Sequence, residues 1–127
     1  MNGKPMEIRI KRVYDEPEEA DGRRILVDRL WARGLSKERA RVDVWIKEIA
    51  PSTELRRWYG HDHHKWTEFK RRYAAELEAN PGSIEAIVAE IQAGVVTFLY
   101  SSKEEKLNNA VALKQYLEEL ADTRAVE

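Results

Sequence analysis

Val95-Val96-Thr97-Phe98-Leu99-Tyr100, residues 95–100, is an uninterrupted run of β-branched, aliphatic and aromatic side chains. A strand with one face in water alternates apolar and polar residues, so a run without alternation predicts a strand that is covered on both faces. Helices packed on both faces of a parallel sheet provide that cover. We therefore expect residues 95–100 to form the central strand of a parallel sheet.

The rest of the chain predicts further strands and helices around this one. Strand patterns cover residues 7–14, residues 24–28 and, more weakly, residues 42–46, where Trp45 would fit a helix equally well. Residues 15–22 form a connection with a short helical turn. Helices are predicted over residues 36–40, with Ser36 as the N-cap, and over residues 63–79. Pro51, Ser52 and Thr53 are expected to open a helix that continues through Tyr59. Further helices are predicted from Ser83 to a stop at Gly94, and from residue 102 onwards. Ser83 is expected to cap the fourth helix, and Ser102 to cap the fifth with Glu105 in the S-x-x-E spacing of a capping box.

This order of elements predicts an α/β fold. We expect a small single domain over residues 1–127, in which a mostly parallel sheet of three to four strands is flanked by helices. Residues 1–6 and 122–127 are expected to be flexible at the two ends.

Composition excludes several classes of protein. The chain has 127 residues and no cysteine, which excludes disulfides, thiol catalysis and thiolate metal sites. No apolar run approaches the roughly 20 residues of a membrane helix, and the first residues lack the apolar segment of a signal peptide. We expect a cytoplasmic protein with no membrane partner and no resident cofactor.

The net charge of −1 conceals an uneven distribution. Residues 1–73 contain 18 Lys and Arg against 13 Asp and Glu, whereas residues 74–127 contain 4 against 10. Twelve of the thirteen arginines precede Ala74, and a planar guanidinium group suits phosphate or carboxylate better than an ammonium group does. Such asymmetry also fits two solvated faces that attract each other, so self-association is an alternative.

Polar side chains follow two of the predicted strands, in residues 28–37 and 100–109. The first junction supplies Asp28, Arg29, Trp31 and Arg33, and the second supplies Ser101, Ser102 and Lys103. If these strands are parallel neighbours, the junctions meet at one edge, where hydroxyl, ammonium and helix N-terminal amide groups would attract an anion. The alternative is structural: Asp28 pairs with an arginine, and Ser102 only caps its helix.

The stretch His61-Asp62-His63-His64 invites a metal-site interpretation. In a helix, His61 and His64 fall near one face while His63 turns away, so a chelating pair would need a ligand from elsewhere. We therefore expect no metal site, and keep His61 as an acid, a base or a hydrogen-bond donor near the anion site.

A basic helical face around residues 65–72 supports a different function. Lys65, Lys70, Arg71 and Arg72, with Arg56, Arg57 and aromatic residues nearby, would suit a nucleic-acid backbone. Acidic residues interrupt this face at positions 54, 62, 68 and 76. Nucleic-acid binding is thus the alternative to a small ligand.

Several motifs, in order along the chain, resemble the YeaO-like branch of the family called domain of unknown function 488. They are Lys11-Arg12-Val13-Tyr14, Leu26-Val27-Asp28-Arg29-Leu30-Trp31 with Arg33-Gly34, Ala50-Pro51-Ser52 with Leu55-Arg56, Trp58-Tyr59-Gly60-His61, Phe69 with Arg72-Tyr73, and Tyr100-Ser101-Ser102-Lys103 with Asn108-Asn109-Ala110. The resemblance covers residues 7–117 and implies a small bacterial or archaeal α/β protein without an assigned activity. Members usually have Pro where this chain has Ala32, and often His where it has Leu107.

The resemblance also marks family-pattern positions without giving them roles: Arg12, Asp28, Arg29, Trp31, Arg33, Lys47, His61, Tyr100, Lys103 and Asn108. Together with the two junctions, they predict a site for a small anionic ligand, phosphorylated or nucleotide-like, at the carboxyl edge of the sheet. The predicted ligand-binding residues are Arg12, Arg29, Trp31, Arg33, Lys47, Tyr100, Ser101, Ser102, Lys103 and Asn108. If the chain is an enzyme, hydrolysis or group transfer would use Asp28 or His61 to move a proton.

Overall fold

The fold is built on a four-stranded sheet in which every strand is parallel to its neighbours. A computed structural model describes residues 6–126. The strands are β1 (Ile8–Arg12), β2 (Arg23–Leu26), β3 (Val44–Trp45) and β4 (Val96–Tyr100). Their order across the sheet is β1-β4-β2-β3. The predicted α/β class and mostly parallel sheet are confirmed.

β4 is a central strand, and its five residues are all buried. Its side chains alternate between two apolar clusters: Val96, Phe98 and Tyr100 belong to the larger one, and Leu99 belongs to the smaller one. Both faces of the sheet are therefore covered, which explains why the sequence of β4 lacks polar alternation.

Helices and short 3₁₀ turns connect and cover the strands. The α-helices are α1 (Lys37–Ala40), α2 (Thr53–Tyr59), α3 (Trp66–Glu78), α4 (Pro81–Ala93) and α5 (Asn109–Val126), and the 3₁₀ turns are Glu19–Asp21, Lys47–Ile49 and His63–Lys65. Ser36 and Ser52 cap α1 and α2 by accepting hydrogen bonds from the amides of Arg39 and Leu55. Gly94 follows the last residue of α4, as predicted.

The predicted starts of the last two helices are wrong. α4 begins at Pro81, so Ser83 lies inside the first turn and does not cap it. Proline is favoured at this first position because its fixed φ is helical and its missing N–H would have no partner there. Asn80, rather than Ser83, therefore stands at the N-terminal boundary of α4.

α5 begins seven residues after the predicted Ser102 cap. The Glu104 carboxylate accepts hydrogen bonds from the amides of Lys106 and Leu107, both at 3.0 Å, and folds residues 103–108 into a loop. The side-chain oxygen of Asn108 then accepts from the amide of Val111 at 3.0 Å, which is the pattern of an N-cap. Asn108 replaces Ser102 as the residue that starts the helix.

One ion-pair cluster is buried beside the sheet. Asp21 and Arg24 are 4% and 3% exposed, and Arg24 Nη1 donates to Asp21 Oδ2 at 2.6 Å. Lys11 Nζ lies 3.1 Å from Asp21 Oδ1. Burial opposes ionisation of Asp21, but the Glu18 amide and the two cations outweigh it, so the pKa of Asp21 lies below its ordinary value. The cluster ties β1 and β2 to the turn between them.

The predicted flexibility of the two ends stays a prediction. Residues 1–5 and Glu127 lie outside the described residues, and α5 continues to Val126. In residues 6–126, no helix combines the length and apolar character that a bilayer crossing requires. The cytoplasmic location stays a prediction.

Candidate anion-binding site

The loops that follow β2 and β4 meet at the carboxyl edge of the sheet, as predicted, and line a cavity of about 530 Å³. Asp28 follows β2, and its Oδ2 atom accepts hydrogen bonds from the Ser101 amide at 2.9 Å and the Ser101 hydroxyl at 2.7 Å. The two junctions are therefore joined directly at the cavity wall.

The Asp28 carboxylate is also fixed by α5. Asn109 Nδ2 donates to Asp28 Oδ1 at 3.1 Å and to the Val27 carbonyl at 3.2 Å. Trp45 Nε1 donates to the Asp28 carbonyl at 2.8 Å. Within residues 6–126, Asp28 forms no ion pair with an arginine, so the predicted structural alternative of such a pair is wrong.

Arg29 lines this cavity and has one donor atom without a hydrogen-bond partner. Its Nη2 atom donates to the Ala50 carbonyl at 3.0 Å, which holds the guanidinium group against the loop before α2. Its Nε atom is buried and has no hydrogen-bond partner. A buried donor without an acceptor costs about 1–3 kcal/mol, and an acceptor that reaches it recovers that loss.

Three further arginines line the same cavity: Arg33, Arg56 and Arg57. None of these, nor Arg29, forms an ion pair with a carboxylate in the described part of the chain. Asp28 supplies the single acidic side chain among the lining residues. Four guanidinium groups against one carboxylate give the cavity a net positive charge, which favours an anion.

Aromatic rings form the less polar part of the wall. Tyr59 and Phe69 stack with their centroids 4.3 Å apart, and the Tyr59 hydroxyl donates to the Leu107 carbonyl at 2.8 Å. Burial raises the pKa of Tyr59, with a smaller effect from nearby carboxylates. Trp31 Nε1 donates to the Leu35 carbonyl at 2.7 Å. Tyr59 and Phe69 are 5% and 2% exposed and belong to the larger apolar cluster, so they anchor this wall to the core.

The structure gathers eight of the predicted site residues around the cavity: Asp28, Arg29, Trp31, Arg33, His61, Ser101, Ser102 and Asn108. It leaves four outside the wall. Arg12 donates to the carbonyls of Ser101 and Ser102 at 3.0 and 2.8 Å, so it stabilises the loop that follows β4 without lining the cavity. Lys47 lies over the Trp45 ring, 4.3 Å from its centroid.

Tyr100 and Lys103 are the other two predicted residues outside the wall. Tyr100 is buried in the larger apolar cluster, and Lys103 is exposed in the loop before α5. The predicted exposed helix amides beside Lys103 are absent, because α5 starts later and Glu104 occupies the amides of the preceding loop. Lys103 is not among the residues that line the cavity with Arg29.

His61 and His63 have different surroundings. His61 adopts a left-handed conformation, with φ of 58°, and lines the cavity. His63 Nε2 instead contacts Glu104 Oε1 at 2.8 Å. Backbone hydrogen bonds to Glu104, supported by His63, lower the pKa of this carboxyl to about 2. No cluster of three metal-ligating side chains occurs among the residues that the structure describes.

A family model described as the inactive DUF488-N3 subclade matches residues 7–127. The chain belongs to this family. It is 41% identical over 115 residues to the uncharacterized protein YeaO of Escherichia coli strain K12, which covers 91% of this chain and 100% of YeaO. It is 38% identical over 114 residues to the uncharacterized proteins Mb3100c of Mycobacterium bovis and MT3158 of Mycobacterium tuberculosis, covering 87% of this chain and 92% of each relative. No solved structure matches the chain.

The two departures from the family pattern do not alter the cavity wall. Ala32 is buried in the smaller apolar cluster, and its carbonyl accepts from the Leu35 amide at 3.3 Å in the turn after Trp31. Leu107 contributes its backbone, which accepts from Tyr59 and donates to Glu104. Neither side chain lines the cavity.

Sequence reasoning missed part of the wall. Arg56 and Arg57 were assigned to the neighbourhood of the basic face, yet α2 brings both to the cavity. The S-T-E-L-R-R pattern after Pro51 predicts the helix, but a local pattern does not give the direction in which a short helix crosses the sheet edge. The predicted helix start at Ser102 places Asn109 about two turns into the helix, whereas it is the first residue of α5 and reaches Asp28 from there.

Proposed function

We propose that this chain binds a small anionic ligand, phosphorylated or nucleotide-like, in the cavity at the carboxyl edge of its sheet. The observation that carries the proposal is the buried, unpartnered Nε–H of Arg29 among four cavity arginines that lack carboxylate partners. Arginine binds phosphate oxygens through parallel N–H donors, and such charge-assisted bonds are stronger than neutral ones.

The arrangement favours binding over hydrolysis or group transfer. Asp28 accepts three hydrogen bonds that connect β2, β4 and α5, which is a structural use of the carboxylate. His61 is exposed, and no carboxylate in the described part of the chain forms an ion pair with it to orient its ring. The description of the family as an inactive subclade agrees with a ligand-binding role.

The basic helical face around residues 65–72 supports nucleic-acid binding less well. Glu68 accepts from both Arg71 and Arg72, and their guanidinium groups lower its pKa to about 2. Lys65 donates to the Trp58 carbonyl, and Lys70 donates to Gln115. Because these cations already have partners, the face offers fewer free donors to a phosphate backbone than the cavity does.

Titration calorimetry with inorganic phosphate and with adenosine 5′-monophosphate, at low ionic strength, tests the proposal. We expect binding by the unaltered chain and about tenfold or greater weakening in Arg29→Ala, because charge-assisted hydrogen bonds contribute about 1.5–3 kcal/mol each. Arg29→Lys is expected to weaken binding as well, since an ammonium group cannot replace the Nε donor at its position.

Arg71→Ala is the matched control, because it removes one guanidinium group from the exposed face. Its affinity for phosphate is expected to equal that of the unaltered chain. The proposed function would be refuted if neither probe binds. It would also be refuted if Arg29→Ala and Arg71→Ala weaken the binding of phosphate equally.

A further inference from the structure

The carboxylate of Asp28, a residue that lines the cavity, retains one unfilled acceptor position. A carboxylate oxygen has two lone-pair sites. Both sites of Oδ2 are used by the Ser101 amide and hydroxyl, whereas Oδ1 accepts one hydrogen bond, from Asn109. No other side chain or amide among the residues that the structure describes donates a hydrogen bond to Oδ1.

Asp28 lines a cavity whose other charged side chains are arginines, which attract anions. A bare phosphate gains from Arg29 and its neighbouring arginines but is repelled by the Asp28 carboxylate. A ligand that carries a hydrogen-bond donor beside its anionic group changes that repulsion into a charge-assisted hydrogen bond. An ammonium donor would be repelled by the four arginines, so a hydroxyl group is the donor that suits both parts of the site.

The orientation of Asp28 is fixed before a ligand arrives. Ser101 holds one carboxylate oxygen from the β4 loop, and Asn109 holds the other from the first turn of α5 while it also donates to Val27. A preorganised acceptor gains more from one ligand geometry than from others, because little side-chain freedom is lost on binding. The cavity of about 530 Å³ has room for more than a phosphate ion.

We propose that the ligand is a phosphorylated polyol, a sugar phosphate or a nucleotide, whose phosphate is bound by the cavity arginines and whose hydroxyl group donates to Asp28 Oδ1. This inference rests on the proposed function and specifies its ligand class. A phosphate monoester without a hydroxyl group would occupy the arginines and leave the acceptor of Asp28 unused.

Calorimetry with a matched pair of probes tests this assignment. Glycerol 3-phosphate and n-propyl phosphate have the same three-carbon skeleton, but only the first has hydroxyl groups. We expect glycerol 3-phosphate to bind about tenfold more tightly to the unaltered chain, since the added bond is charge-assisted. Equal affinities for the two probes would overturn the inference, while failure of both probes and of inorganic phosphate would refute the proposed function itself.

Ribose 5-phosphate and adenosine 5′-monophosphate distinguish the two sources of a phosphorylated polyol. Tighter binding of the nucleotide assigns part of the cavity to the base, and equal or weaker binding assigns the site to sugar phosphates. Either result supports a polyol phosphate, provided that glycerol 3-phosphate binds more tightly than n-propyl phosphate.

Asp28→Asn is expected to change two measured quantities in opposite directions. Loss of the negative charge is expected to strengthen binding of inorganic phosphate, while the preference for glycerol 3-phosphate over n-propyl phosphate falls towards unity. Glu90→Gln is the control: it removes the same charge from an exposed pair with Arg23, outside the cavity, and should leave both quantities unchanged. If Asp28→Asn retains the full preference, the inference is overturned. If the variant does not fold, the matched probes on the unaltered chain still decide the outcome.

Discussion

Arg24 and Arg29 are five residues apart, and their guanidinium groups have opposite environments. Arg24 donates to Asp21 and to the carbonyls of Ala40 and Arg41, so its Nε, Nη1 and Nη2 atoms all have acceptors. Arg29 has one acceptor, Ala50, and its buried Nε has none. Arg24 is thus part of the framework, whereas Arg29 retains the unpartnered donor on which the proposed anion site rests.

Asp21→Ala is predicted to reduce the free energy of unfolding by about 3–5 kcal/mol, because it leaves the buried Arg24 charge without its partner. Urea unfolding followed by circular dichroism measures this loss. Glu68→Ala, which breaks the exposed pairs with Arg71 and Arg72, is the control and should reduce the free energy of unfolding far less, because solvent screens exposed ion pairs. Similar losses in the two variants would contradict the assigned role of Asp21.

At the scale of elements, the strands and most helices could be predicted from local patterns. The apolar run 95–100 predicts β4, because a strand that is covered on both faces contains no alternation of apolar and polar residues. Ser36 and Ser52 indicate the starts of α1 and α2, because each caps the helix that follows it. The start of α5 could not be predicted in this way. Ser102 and Asn108 both suit a cap, and the choice depends on Glu104, which folds the intervening loop through contacts that spacing does not encode.

Asn108→Ala is predicted to lower the free energy of unfolding by about 1–2 kcal/mol, since it removes the cap of α5 and a buried hydrogen bond to the Glu104 carbonyl. Ser102→Ala should change it by less than about 0.5 kcal/mol, as its hydroxyl makes one 3.3 Å contact within the loop. Thermal and urea unfolding of the two variants provide the comparison. A larger loss in Ser102→Ala would contradict the observed helix start.

At the scale of the whole molecule, the basic first half of the sequence supplies every arginine of the cavity. The sequence predicted which strand ends would meet, because parallel neighbours bring their carboxyl ends to one edge. It did not predict that α2 would add Arg56 and Arg57 to that edge, or that Lys47 and Lys103 would lie outside the wall. These placements depend on helix orientation and loop length, which are settled by packing across the whole domain.

The central claim is that Arg29 Nε–H is an unoccupied donor for an anion. The most direct measurement is a ¹H–¹⁵N correlation spectrum of the arginine Nε–H groups during titration with inorganic phosphate, with Arg29 assigned through Arg29→Lys. The account predicts a saturable shift of the Arg29 signal and an unchanged signal from Arg71, whose Nε already donates to Glu68. A stationary Arg29 signal at saturating phosphate, or equal shifts at both arginines, would contradict the claim.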